Sequence, residues 1–176
     1  MIVMKKIKII SIFIMFALSF LSHFAYETIP NFISSILFPV NESIWEHMKL
    51  LSTPVLLYMI IEYFIFKKKK IETNNFILSY SLSIISSIII FLIIYVPIYN
   101  KIGNSMFIDI TLLIIMFIYI AFLTYKLFNI KKIKYSNLLG IILFVIIYFN
   151  FFYLTYYPIK DYLFLDTTKN IYGIPK

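Results

Sequence analysis

The chain has 176 residues, 62% of them hydrophobic, no cysteine, and a formal net charge of +8 carried by sixteen lysines and no arginine. A mean hydropathy of +0.94 excludes a water-soluble globular domain, because one core of this size could not bury so much apolar side chain and the apolar residues fall in unbroken runs of membrane-spanning length. Disulfides, thiolate metal sites and thiol catalysis are excluded with cysteine, and lysines that flank apolar runs argue against nucleic-acid binding.

Lys5, Lys6 and Lys8 precede a first apolar run. A signal-peptide cleavage site near Ala25 would place His23 where a small residue is required, so residues 9–26 read as a retained transmembrane helix. The connection that follows holds Pro30, Pro39 and a short apolar piece, Phe32 to Phe38, too short to cross about 30 Å of hydrocarbon and therefore expected at the interface. A second span covers residues 44–66, with a kink expected at Pro54, and Lys67 to Lys70 end it. In a third span, residues 76–96, Ser79, Ser83 and Ser87 recur every four residues and form a face suited to close helix packing. Residues 106–125 and 138–157 make the fourth and fifth spans, and residues 158–176 form a tail.

The expected fold is thus all-α, a bundle of five transmembrane helices. Eleven lysines, Lys5, Lys6, Lys8, Lys67 to Lys70, Lys126, Lys131, Lys132 and Lys134, fall on one side. Lys101, Lys160, Lys169 and Lys176 fall on the other, with Lys49 near its boundary. The excess of positive charge on cytoplasmic flanks places the N-terminus inside and the C-terminus outside, in the cell membrane. No repeat supports an inverted-repeat transporter. Heavy use of Ile, Lys, Asn, Tyr and Phe suggests an AT-rich bacterial genome.

Polar residues gather in Asn41-Glu42-Ser43-Ile44-Trp45-Glu46-His47-Met48-Lys49. His23, His47 and Asp109 each stand three residues inside the outer end of a span, which at 1.5 Å per residue is roughly 5 Å below the boundary. Glu27, Asn41, Glu42, Glu46 and Lys49 lie at the same level, and Asn150 is expected about 10 Å in. His23 and Glu27 share a helix face, Glu42, Glu46 and Lys49 share another, and Ser43 and His47 form an adjacent stripe. The candidate polar site is therefore His23, Glu27, Asn41, Glu42, Glu46, His47, Lys49 and Asp109. Within it His23, His47 and Glu46 could ligate zinc or manganese, or the same groups could act as general acid and base on a lipid or peptide from the outer leaflet.

Structural roles account for part of this cluster. Ser43 and Glu46 fit a capping box, Trp45 suits an interfacial belt, and Lys49 can pair with Glu46 or Glu42. His23, His47 and Asp109 are explained as well by function as by a polar network, since ionisable groups below the interface are costly. The inner half holds little beyond Glu62. No H-E-x-x-H, G-x-S-x-G or phosphate-binding glycine loop occurs. Asp166-Thr167-Thr168-Lys169 has the order of a phosphorylated-aspartate motif but falls outside, away from ATP.

The Asn41 to Lys49 motif, His23 ahead of it, Glu62-Tyr63, Leu163-Phe164-Leu165-Asp166 and Tyr172-Gly173-Ile174 together resemble a family of uncharacterised small multi-pass membrane proteins of clostridia and their relatives. The resemblance implies an integral membrane fold and brings no activity with it. Three functions are open at this point: a polar outer-leaflet pocket for a ligand or protein partner, a membrane-embedded metal-dependent hydrolase, and an accessory subunit. The tail carries Tyr162, Leu163, Phe164, Leu165, Ile171, Tyr172 and Ile174, more apolar surface than a solvated end would. It is expected either to fold over the outer mouth as a lid, with Gly173 in a turn and Asp161 or Asp166 near the polar cluster, or to lie on the membrane as an aromatic anchor.

Overall fold

The computed structural model describes residues 2–175; Met1 and Lys176, the latter among the lysines assigned to the outer side, lie outside the described residues. Six helices follow one another: α1 (Ile2–Thr28), α2 (Phe32–Leu37), α3 (Ile44–Lys69), α4 (Phe76–Ile102), α5 (Met106–Phe128) and α6 (Ser136–Tyr156). A hairpin of β1 (Leu165–Asp166) and β2 (Ile171–Tyr172) completes the described chain. The five helices other than α2 are long and apolar enough to cross a bilayer. The protein is accordingly all-helical in its body, with membrane-spanning helices.

Several helices outrun the apolar segments. The limit of hydrocarbon ends the apolar composition, but a helix continues until a residue caps it. α1 includes Lys5, Lys6 and Lys8, and α4 passes Pro97 to stop at Gly103, whose φ of +81° suits glycine. α3 runs on to Lys69 and ends at a left-handed Lys70. The short α2 is closed by a reciprocal capping box, in which Asn31 accepts from the Ser34 N–H and Ser34 Oγ accepts from the Asn31 N–H.

Packing places α1 against α3 and α5, α4 against α5 and α6, and α2 against α6. Pro54 has no N–H for the carbonyl four residues back, that of Leu50, and Ser19 Oγ of α1 donates to this carbonyl at 3.1 Å. The proline thus becomes a point of attachment between two helices. α4 and α6 approach closely at Gly140, where an added Cβ would stand 2.5 Å from the Leu78 backbone nitrogen. Ser79, Ser83 and Ser87 are fully buried, and each donates to a carbonyl of its own helix, so small polar side chains line α4 without unmet donors.

One end of the bundle collects the start of α1, the α3–α4 loop and the α5–α6 loop. The two loops are tied by asparagines: Asn74 donates to the Ile130 carbonyl, Asn75 donates to that of Lys131, and Asn75 Oδ1 accepts from the Ile133 N–H. At the opposite end the tail lies on the start of α3. The Trp45 N–H donates to the Leu163 carbonyl at 2.9 Å, and Asn41 Nδ2 donates to the Gly173 carbonyl at 2.7 Å. Gly173 has φ +65°, and a Cβ there would stand 2.6 Å from the Thr155 carbonyl oxygen. The Trp45 ring lies 5.7 Å from Phe151 and 5.3 Å from Phe164, joining α3 to α6 and the tail.

Candidate functional site

The last turns of α1 carry His23, the loop before α3 carries Glu42, and the first turn of α3 carries His47. Glu42 Oε2 lies 3.4 Å from His47 Nε2 and 3.7 Å from His23 Nε2. The imidazole centroids are 5.5 Å apart. One nitrogen from each ring and one carboxylate oxygen fall within 4.8 Å of one another. His47 Nδ1 lies 2.8 Å from the Ser43 carbonyl, which can only accept, so Nδ1 carries a proton; Nε2 then donates to Glu42 when the ring is protonated and offers a lone pair when it is neutral. The three side chains are about a third exposed, at 30 to 38%.

They open onto a cavity of about 560 Å³ walled by apolar residues that include Phe16, Phe20, Leu50, Phe91 and Leu113. Asp109 and Tyr95 complete the polar lining with Asn104. Asp109 stands in the first turn of α5, where the helix dipole favours a carboxylate, and its Oδ1 is buried without a hydrogen-bond partner among the described residues. The hydrogen bond from His47 holds the Glu42 carboxyl below its ordinary value of 4.5; burial opposes this, and the positive charge of the two histidines adds to it.

Glu42 is also positioned from behind. Its N–H donates to Asp166 Oδ2 at 3.2 Å, while Asp166 Oδ1 accepts from Thr168 N–H, Thr168 Oγ1 and Lys169 N–H. Burial pushes the Asp166 carboxyl up, but these hydrogen bonds outweigh it and hold the group below its usual range. The tail hairpin therefore reaches the backbone of the residue between the histidines. Asp161 is occupied locally, accepting from the Leu163 N–H.

The remaining sequence candidates separate from this site. Glu46, expected with the histidines as a metal ligand, faces elsewhere. Consecutive helix residues point about 100° apart, so Glu46 turns towards α2 and α6 while His47 turns towards α1. Its carboxylate binds Lys49 Nζ at 2.6 Å, Thr155 Oγ1 at 2.6 Å and the Val40 N–H at 3.1 Å. Lys49 is fully buried and donates further to the Ser35 carbonyl and to Thr155. The capping box is consequently half-formed: Ser43 Oγ accepts from the Glu46 N–H, but the Glu46 side chain does not return to the cap. Glu42 precedes the helix and does not share the face of Glu46 and Lys49. Asn41 accepts from the Ser43 N–H and clamps Gly173. Glu27 is exposed, and it makes no side-chain hydrogen bond or ion pair among the described residues. Asn150 is exposed as well, bonding to the Ile146 carbonyl of its own helix instead of entering the bundle.

A second polar cluster went unread in the sequence. Lys8, counted there as a flanking charge, is buried and binds Glu62 at 2.7 Å. Tyr80 donates to the same carboxylate at 2.6 Å and Tyr58 at 3.3 Å, and the Lys8 ammonium lies 4.4 Å from the Phe128 ring centroid. The available signal was Glu62 itself: a carboxylate inside a span needs a counter-ion at its own depth, and in the antiparallel neighbour Lys8 is the cation one turn in.

No curated protein and no solved structure matches the chain. One family model does, over residues 1–174, and the chain belongs to that family of unknown function, DUF6512.

Proposed function

We propose that this is a membrane protein with its N-terminus inside, whose cavity at the outer end binds a ligand or partner through a divalent cation held by His23, Glu42 and His47. The observation that carries this reading is the convergence of three donors from two helices and a loop. Tetrahedral ligands at about 2.1 Å from zinc stand about 3.4 Å apart, so the separations of 3.4 and 3.7 Å from Glu42 need little contraction, and metal binding would draw the two imidazole nitrogens, within 4.8 Å of each other, together. The Ser43 carbonyl on His47 Nδ1 is the outer hydrogen bond that metal-ligating histidines usually have. The orientation rests on the lysines, eleven of which belong to the α1 start, the last turns of α3 and α5 and the two tied loops that follow them. On this reading the tail is a lid, because its Asp166 holds the backbone of Glu42.

The test is metal analysis of the purified full chain. Zinc or manganese is expected in stoichiometric amount, lost in His23→Ala and His47→Ala and kept in Glu27→Gln, a change to an exposed carboxylate outside the three. Metal-free protein after exposure to both ions, or metal indifferent to the two histidines, overturns the reading and leaves a metal-independent pocket or an accessory subunit. Reporter fusions at Lys69, Asn104, Lys132 and the C-terminus should report inside, outside, inside and outside.

Asp109 favours a second reading, a metal-dependent hydrolase of lipid or peptide. A divalent ion in this place supplies a Lewis acid and an acidified water, and a carboxylate with an unpartnered oxygen on the same cavity can take the proton. Hydrolysis that disappears in Asp109→Asn while the metal stays bound supports it; a metal-loaded protein inert towards both substrate classes rules it out.

A further inference from the structure

Among the described residues a second groove lies at the opposite, lysine-rich end, between α1 and α5. Its volume is about 410 Å³, and its lining includes Lys5, Lys8 and Lys126 and no carboxylate. Lys8 is satisfied by Glu62 at the back of the groove. Lys5 and Lys126 are exposed, and neither forms an ion pair among the described residues; the Lys126 ammonium lies 5.4 Å from the Phe122 ring centroid. Below the two ammonium groups the walls are apolar and outward-facing: Ile9 is 59% exposed, Ile118 49% and Phe122 59%. Because α1 and α5 run antiparallel, Lys5 near the start of one and Lys126 near the end of the other come to one level.

The charge of the molecule is segregated in the same sense. Six of its eight carboxylates, Glu27, Glu42, Glu46, Asp109, Asp161 and Asp166, lie at the cavity end; of the two at the lysine-rich end, Glu62 is neutralised by Lys8 and Glu72 follows Lys67 to Lys70 in the α3–α4 loop, outside the groove lining. An anion is therefore drawn to this groove, and an anion carrying an acyl chain fits its walls. We infer that the α1–α5 groove is a binding site for one anionic phospholipid, its phosphodiester between Lys5 and Lys126 and an acyl chain along Ile9, Ile118 and Phe122. A zwitterionic lipid can fill the apolar part but brings its own ammonium against the lysines. Basic clefts between helices at this depth are suited to acidic headgroups, each lysine raising affinity by about fivefold. The inference is independent of the histidine site.

The test is competitive lipid binding to the full chain in detergent, read by native mass spectrometry with phosphatidylglycerol and phosphatidylcholine of matched chains. Wild type is expected to retain phosphatidylglycerol over phosphatidylcholine by on the order of tenfold or more. Lys5→Gln with Lys126→Gln should remove that preference, while Lys131→Gln with Lys132→Gln, the same charge change on the neighbouring loop, should keep it. No preference in wild type, or equal loss in the two double variants, overturns the site. Glycerol phosphate should not displace the lipid; displacement at matched concentration would show a headgroup anion site and overturn the lipid as occupant.

Discussion

Two clusters of ionisable side chains sit at opposite ends of one helical bundle, and they differ in saturation. Around Glu62 each charged group is bonded: Lys8, Tyr58 and Tyr80 surround a carboxylate with no exposed surface. Around Glu42 the groups approach one another at 3.4 to 3.7 Å, remain about a third exposed and face a cavity with an unpartnered Asp109 oxygen. Closed networks of this kind specify packing, and open ones have donors to spare. An ionisable residue inside a membrane span is therefore a weak functional signal until its partners have been counted. Glu46 and Lys49 make the same point, since they lie beside the histidines in sequence and belong in space to a saturated network.

The contrast can be broken most directly at Glu62. Glu62→Leu leaves the Lys8 ammonium buried without its counter-ion, and a loss of ~3–5 kcal/mol is expected from unfolding in mixed micelles. Adding Lys8→Met should restore much of it; if the double variant is no better than the single one, the pair is not the source of the effect.

Gly173→Ala comes next. Its Cβ would press on the Thr155 carbonyl at 2.6 Å in a backbone with φ +65°, so a cost of ~1–3 kcal/mol is expected, localised to the tail. Hydrogen exchange should rise at Glu42 and Trp45, whose N–H groups donate to the tail, and stay unchanged in the α3–α4 loop. Equal exchange in both places would mean the tail is not held there.

At the open cluster, His23→Ala and His47→Ala should each cost under ~1 kcal/mol in metal-free protein, because partly exposed pairs contribute little. A cost matching that of Glu62→Leu would erase the distinction between the clusters.

The smallest effect is in pH. The Glu42 carboxyl is held below its ordinary 4.5, so its contribution is complete above that value and is lost as pH falls through the lowered one. The stability difference between wild type and Glu42→Gln should therefore be larger near about pH 5, where the histidines still carry charge, than near about pH 3. A difference that grows on acidification would contradict the assigned direction.

Legibility followed the range of the forces. The five spans could be read because partition into hydrocarbon depends on composition over about twenty residues. That Phe32 to Phe38 is too short to span followed from the same arithmetic, though not that it forms a helix, and Ser43 as a helix cap followed from local hydrogen bonding. Helix ends were less legible: α4 passes Pro97 and α1 includes its lysines, since capping and tertiary support decide where a helix stops. The histidines and Asp109 could be placed at one depth, but depth is a single coordinate.

By itself the sequence determined that this chain is a membrane protein of five apolar helices, with most carboxylates and both histidines towards one end and most lysines towards the other. These are sums over local windows, unaffected by how helices rotate. Tertiary structure decided that Glu42 and not Glu46 faces the histidines, that Lys8 turns inward to Glu62, and that Asn150 turns out. Each of these depends on the rotation of a helix about its axis and the path of a loop. Those are set by the close approach at Gly140, the Ser19 bond to the Leu50 carbonyl that Pro54 leaves free and the clamp of Asn41 on Gly173. A rotation of 100°, one residue's step, separates Glu46, bonded to Lys49, from His47, which faces Glu42 and His23.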